Sequence, residues 1–242
     1  MRNCWGTPAS LSLLLQHEFN LQVDGTADAL HRSQLPQWFS AYESDVDFGG
    51  KFDILSQDLK GLNLLINPPF SQQRTDPHTG KNDHIIIRII DKLLATKTSE
   101  LPTRAVLIIP ALPGLGGDRF RQYARDKKLI EIMRFPPNSL RFQAPQSFMH
   151  EQPIIPGAYQ NSVSVFLFLN SRSLLYDPVD WPHTRRVLTE WLGHHCPKGQ
   201  VPSDAEKKFG ERIMTKAPTR LAAANRQAHE ASEQYKQREP TR

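Results

Sequence analysis

The sequence predicts a mixed α/β fold with a mostly parallel, twisted sheet flanked by helices. Three observations carry this expectation. Apolar runs of strand type recur at residues 62–66, 104–110, 129–135 and 163–169. Stretches with apolar residues at helical spacing, about residues 83–94 and 119–127, separate the first three of these runs. The two kinds of segment also alternate along the chain, which reads as strand, helix, strand. Such an order builds parallel sheets whose ligands sit at the carboxyl ends of the strands.

The elements follow in order. Thr7 and Pro8 read as an N-cap followed by proline at the first helical position, with Leu11, Leu14, Leu15 and Phe19 on the apolar side. A short strand, Leu21-Gln22-Val23, runs into Asp24-Gly25-Thr26-Ala27-Asp28, read as an acidic tight turn. A polar-aromatic stretch at 37–50 and the segment Phe52-Asp53-Ile54-Leu55-Ser56-Gln57-Asp58 precede the strand at 62–66. That strand delivers Asn67-Pro68-Pro69-Phe70. A polar loop without core residues fills 72–81, and the helix at 83–94 places Ile86, Ile89, Ile90, Leu93 and Leu94 on its apolar side. Gly114-Leu115-Gly116-Gly117 precedes the helix at 119–127. Residues 136–160, rich in proline, glutamine and aromatics, read as a substrate-side loop, because connections of that length in a compact domain are usually functional or disordered. A helix from Pro182, with Leu188, Trp191 and Leu192, packs on the sheet. The expected division is one domain over 1–196 and a charged helical or disordered tail over 197–242.

Composition narrows the function classes. The chain has 242 residues, a net charge of +5 and two cysteines, Cys4 and Cys196. It can bury a sizeable core, it has no disulfide framework, and its basic balance favours a polyanionic partner such as nucleic acid. No apolar run approaches the roughly 20 residues of a membrane span, and Met1-Arg2-Asn3-Cys4-Trp5-Gly6 lacks the apolar stretch of a signal peptide. The expectation is an intracellular, soluble protein, nuclear or cytoplasmic in a eukaryote, with no membrane partner. His194-His195-Cys196 does not read as a metal site, since adjacent helical residues point about 100° apart and no second ligand pair lies nearby. The glycine cluster lacks both the Lys-Ser/Thr of a P-loop and the full dinucleotide spacing.

Asn67-Pro68-Pro69-Phe70 is the pattern that bears chemistry. The Asn67 side-chain carbonyl and the Pro68 backbone carbonyl are two acceptors suited to the two N–H bonds of a flat exocyclic amine. Accepting both would localise the nitrogen lone pair and stabilise a cationic transition state, as methylation of such an amine requires. Pro69 fixes the turn, the prolines offer no competing donors, and Phe70 supplies a stacking face. A methyl donor needs a second pocket. Asp24 and Gly25 fit, an acidic group beside a residue without Cβ, with weaker contributions from Asp58 and from Trp5, Thr7 and Pro8. Asp58 also reads as a simple turn residue, and Thr7 as a helix cap.

These residues resemble two families. The strand-borne tetrapeptide is similar to the catalytic motif of amino-group methyltransferases acting on nucleic-acid adenine. Trp5, Thr7-Pro8, Glu18-Phe19, Asp24, Ala27, Leu55-Ser56-Gln57-Asp58 and Leu140-Arg141-Phe142 resemble the phage-type DNA N6-adenine methyltransferases. Ser40-Ala41-Tyr42, Asp45, Phe48-Gly49, Phe70 and the length between Asp24 and Asn67 resemble the phosphorylated-CTD-interacting-factor family, which methylates the cap-adjacent adenosine of messenger RNA. The resemblance spans about residues 3–170. It implies a Rossmann-like class I methyltransferase fold, S-adenosyl-L-methionine as donor, no metal, and catalysis by Asn67, Pro68, Pro69 and Phe70. Adenine in RNA or DNA is the implied substrate, with a lean toward cap-proximal RNA. The Asp24 segment departs from the Phe-x-Gly-x-Gly donor loop of many relatives. A catalytically silent nucleic-acid-binding module on the same fold, and methylation of a cytosine amine or a protein glutamine amide, remain alternatives.

Overall fold

A computed structural model describes residues 6–29, 33, 35–69, 73–75, 82–111, 114–126, 129–142, 160–176, 178–205 and 207–208. The chain divides into two compact units, Met1–Ala205 and Glu206–Arg242. Phe70, Trp5 and most of the loop expected on the substrate side, 143–159, lie outside the described residues.

The first unit runs α1 (Ala9–Phe19), β1 (Val23–Ala27), β2 (Gln37–Ser40), a 3-10 turn (Glu43–Phe48), β3 (Lys51–Phe52), β4 (Asn63–Ile66), β5 (Gln73–Thr75), β6 (Asn82–His84), α2 (Ile85–Ala95), β7 (Arg104–Pro110), α3 (Gly114–Arg125), β8 (Ile130–Phe135), β9 (Val163–Leu169), α4 (Ser171–Tyr176) and α5 (Trp181–His195). Seven strands form one sheet in the order β3-β2-β1-β4-β7-β9-β8, while β5 and β6 make a separate antiparallel ribbon. The pairs from β3 across to β7 are parallel, and β9 alone is reversed, lying antiparallel to both β7 and β8. This is a Rossmann-like mixed α/β sheet. The chain proceeds from β1 outward to β3 and then returns to β4 on the other side of β1, so the topological switch point lies between β1 and β4.

Strand alternation builds the two layers on the sheet. Leu64 and Ile66 of β4 and Ala105, Leu107 and Ile109 of β7 belong to one core cluster with Ile86, Ile89, Ile90 and Leu93 of α2. The alternate residues Leu65, Val106 and Ile108 are equally buried and point to the opposite face. There α1 presents Leu11, Leu15 and Phe19. All seven residues of β7 are buried, as expected for a strand covered on both faces. The carboxyl end of α1 is fixed at the amino ends of the strands: Arg104 Nη1 donates to the Phe19 carbonyl at 2.9 Å and Asn63 Nδ2 to the Asn20 carbonyl at 3.0 Å. The start of α1, with Thr7 and Pro8, therefore points toward the carboxyl edge of the sheet. Among the described residues no helix is long and apolar enough to cross a membrane.

Several local expectations change. Asp24-Gly25 is not a turn, because β1 continues through Ala27. Asp24 pairs with Trp38 and Ala27 with Ser40, so β1 carries one residue more than β2 across that interval, which is a β-bulge. Pro8 rather than Thr7 is the N-cap of α1, with no side-chain cap bond. Residues 73–75, expected in a loop, form β5, and the helix expected from 83 begins at Ile85 after the His84 cap. The glycine cluster at 114–117 is the first turn of α3 rather than a loop. That helix is docked further along, by Phe120 packed edge-on against Phe166 and by Arg119 and Tyr123 bonded to Asp91 of α2.

Candidate active site

Asn67 is the first residue beyond β4, at the carboxyl edge of the sheet and directly beside the switch point. Its backbone N–H donates to Thr26 Oγ1 of β1 at 2.8 Å. Asn67 is half-buried, and its Oδ1 is shielded from solvent. Pro68 is buried and Pro69 half-buried.

Pro69 forms one wall of a narrow cleft whose enclosed space is about 30 Å³. Gly25, Thr26 and Ala27 of the bulged end of β1 form a second wall. Three consecutive residues reach the same cleft because the bulge breaks strict alternation. Gly25 is needed there: a Cβ at this position would stand 3.0 Å from Ile54 Cδ1 and from Ile66 Cγ1, and 3.3 Å from the Leu65 carbonyl. Phe39, Ile54, Ile85 and Ile89 supply apolar surface, whereas Ser40 and Asp53 supply polar groups from the ends of β2 and β3. Asp53 is held with a left-handed φ of 49°. Its N–H donates to the Ser40 carbonyl at 2.7 Å, and its Oδ1 accepts the Leu55 N–H at 3.0 Å.

Two buried carboxylates brace this edge from behind. Asp24 Oδ2 accepts the Ser33 N–H at 2.9 Å and the Ser33 hydroxyl at 2.6 Å, and Asp24 Oδ1 accepts the Thr26 N–H at 3.3 Å. Burial pushes the Asp24 carboxyl above its ordinary value of 3.8, with the bonds from Ser33 and Thr26 opposing that rise. Asp45 Oδ2 accepts the Ser40 hydroxyl at 2.7 Å and the Ala29 N–H at 3.1 Å. The loop after β1 is thus pinned near its start by Asp45 and near its end by Asp24.

The structure therefore brings together Gly25 and Pro69 on one cleft, with Asn67 and Pro68 at its border. Asp24 supports the cleft without lining it. Asp58 stands apart. It is exposed on the turn that leads into the amino end of β4, where Oδ1 accepts the Lys60 N–H at 3.1 Å and Oδ2 lies 3.7 Å from Lys60 Nζ. Thr7 and Pro8 sit on the approach to α1 and do not line the cleft. In the sequence Thr26 and Asp53 have no role of their own, as members of the expected turn at 24–28 and of the segment at 52–58, and Ser40 stands only in the Ser40-Ala41-Tyr42 run that resembles the cap-adenosine family. Among the described residues no group of three or more His, Cys, Asp or Glu side chains is arranged to hold a metal ion.

No protein-family model matches this chain, and no curated protein does. Among solved structures, the chain is similar at 9% identity and a TM-score of 0.42 to a chain described under "Structural basis underlying complex assembly and conformational transition of the type I R-M system". The match covers 97% of this chain and 66% of that one, so the chain spans just under two thirds of that protein's length.

Proposed function

We propose that this protein is an S-adenosylmethionine-dependent methyltransferase of class I fold acting on the N6 amine of adenine in nucleic acid. The observation that carries the reading is the shared cleft: the Asn67-Pro68-Pro69 turn leaves β4 at the switch point and shares a wall with the glycine-containing end of β1. In open α/β sheets this crevice is where ligands bind.

The cleft residues fit an adenosyl donor in kind. Ile54, Phe39, Ile85 and Ile89 offer apolar walls, Ser40 and Asp53 offer polar contacts, and Gly25 lets the backbone come close. In this reading Asp24 braces the donor pocket from behind, and Asp58 lies apart from the cleft on the turn into β4. When bound, S-adenosylmethionine supplies an electrophilic methyl group. The chain's own task is to prepare the amine. Asn67 Oδ1 and the Pro68 carbonyl accept its two hydrogens, draw the lone pair out of conjugation and take up the positive charge that builds on nitrogen. Because Oδ1 is shielded in this structure, a base reaches it only after a local rearrangement. Pro69 holds the turn, and Phe70 stacks on the base.

An adenine in duplex DNA must first leave the stack, at a cost of a few kcal/mol, which a single-stranded or cap-proximal adenosine largely avoids. The resemblance of Phe70 and of the 24–67 spacing to the cap-adenosine family favours RNA. The shielded Oδ1 favours a second reading, a catalytically silent nucleic-acid-binding module. A labelled-methyl assay on capped RNA, uncapped RNA, and single- and double-stranded DNA, with nucleoside analysis of the product, decides between them. N6-methyladenosine or N6-methyldeoxyadenosine is expected. Nucleic-acid binding without label transfer on any substrate would establish the silent module.

A further inference from the structure

Asn67, Pro68 and Pro69 contain a single backbone donor, because proline has no N–H. That donor, the Asn67 amide, ends on Thr26 Oγ1 at 2.8 Å. The acceptor is a side chain for a reason visible in the sheet. Backbone pairing between β1 and β4 runs through Val23 with Leu64 and Asp24 with Leu65 and goes no further. Immediately beyond, β1 carries one residue more than its other neighbour β2, and on the β4 side the Thr26 hydroxyl, rather than a further paired carbonyl, receives the Asn67 amide. Thr26 is itself fixed, since its N–H is held by the buried Asp24, which is in turn held by Ser33.

We propose that Thr26 is a positioning residue for methyl transfer: its hydroxyl anchors the Asn67 amide and thereby sets where Asn67 Oδ1 and the Pro68 carbonyl meet the target amine. This rests on the methyltransferase reading. It adds that the bulge of β1 ties the donor side of the cleft to the acceptor side. With the tether in place, the proline-fixed φ angles carry its position onward through Pro68 and Pro69. Without it, the turn loses its hydrogen-bonded link to β1, and small displacements of positioning groups cost up to about a hundredfold in rate.

The test compares Thr26→Val, which keeps the shape and removes the hydroxyl, with Thr26→Ser, which keeps the hydroxyl. Asn67 amide hydrogen exchange, read by NMR, reports the tether without reference to activity. In the wild type this amide should be protected. In Thr26→Val it should exchange about fivefold faster, as loss of a bond worth about 1 kcal/mol implies. Under the same conditions kcat at saturating donor should fall at least about tenfold, and Thr26→Ser should restore both exchange protection and kcat. An unprotected Asn67 amide in the wild type, an unchanged kcat in Thr26→Val, or a Thr26→Ser variant as slow as Thr26→Val would overturn the proposal. A wild-type protein that transfers no methyl group to any nucleic acid would instead overturn the functional reading and, with it, the catalytic consequence of the tether, whatever the exchange data show.

Discussion

Gly25→Ala is the sharpest single perturbation of the cleft. The added methyl would sit 3.0 Å from both Ile54 Cδ1 and Ile66 Cγ1 and 3.3 Å from the Leu65 carbonyl oxygen. Carbon pairs are most favourable at about 3.5–4.0 Å, so two contacts are short by at least about half an ångström. Ile54 Cδ1 is a side-chain tip and can swing. Ile66 Cγ1 lies next to a strand backbone on a fully buried, β-branched residue, and the Leu65 carbonyl belongs to the sheet itself. Overpacking of this kind costs about 1–3 kcal/mol. For a unit of about 200 residues, at about 2–4 °C per kcal/mol, the expected fall in Tm is about 2–12 °C. Ile54 also lines the cleft, so part of the strain should persist there. If half of it does, donor affinity falls about two- to tenfold. Thermal unfolding and calorimetry with S-adenosylmethionine, the latter well below the new Tm, check the two arms. A lower Tm with unchanged donor affinity would place the donor elsewhere. An unchanged Tm would show that the packing around Gly25 does not resist a methyl group.

Asn67→Ala should abolish methyl transfer while leaving donor affinity by calorimetry close to wild type, because Asn67 borders the cleft without lining it. Asp24 should impose a pH dependence on stability. Its raised folded value means that the folded chain keeps a proton the unfolded chain releases, so its contribution is fully present below 3.8 and is lost as pH rises through the folded value. Denaturant unfolding across that range should show this slope in the wild type and not in Asp24→Asn. Asn170→Ala should cost about 2–4 kcal/mol in denaturant unfolding with an unchanged m value. Asn170 is fully buried; its Oδ1 accepts the N–H groups of Thr103 at 3.0 Å and Ser173 at 2.9 Å, and its Nδ2 donates to the Leu101 carbonyl at 2.7 Å.

The elements read well from the sequence are those whose burial is written into adjacent residues. Arg104–Pro110 and Val163–Leu169 are continuous apolar runs, and they form an antiparallel pair of neighbouring strands in the sheet with the bounds the pattern implies. The isoleucines of α2 mark a single apolar face and do form the core beneath the sheet. The elements misread are those fixed by distant partners. Asp24-Gly25 has the composition of a turn, and it stays in a strand because Ser33 and Thr26 satisfy the carboxylate and because Ile54 and Ile66 close around the glycine. Trp38 and Phe39 sit in a polar stretch, yet β2 forms because parallel pairing with β1 and β3 buries both. The site divides along the same line. Asn67, Pro68 and Pro69 are contiguous and visible as a motif, whereas Ser40 and Asp53 join the cleft only through strand order.

The two carboxylates behind the cleft show why acidic residues near strand ends are ambiguous in a sequence. A bulge and the loop after it leave backbone N–H groups without ladder partners, and buried donors of that kind are costly unless satisfied. Here three such donors, on Thr26, Ala29 and Ser33, end on Asp24 or Asp45. A carboxyl group suits that work, since its two oxygens offer several acceptor lone pairs. The acidic group expected to meet the donor is therefore occupied in holding the chain that frames it. The polar groups left facing the cleft are those further out in the sheet, Ser40 at the end of β2 and Asp53 just after β3, and Ser40 is itself oriented by Asp45. A cleft whose frame is bonded from behind keeps its shape before any ligand arrives, which lowers the ordering cost of binding. On that argument Asp45→Asn, which weakens the acceptor for Ala29 and Ser40 without changing its size, should loosen donor binding even though Asp45 does not line the cleft.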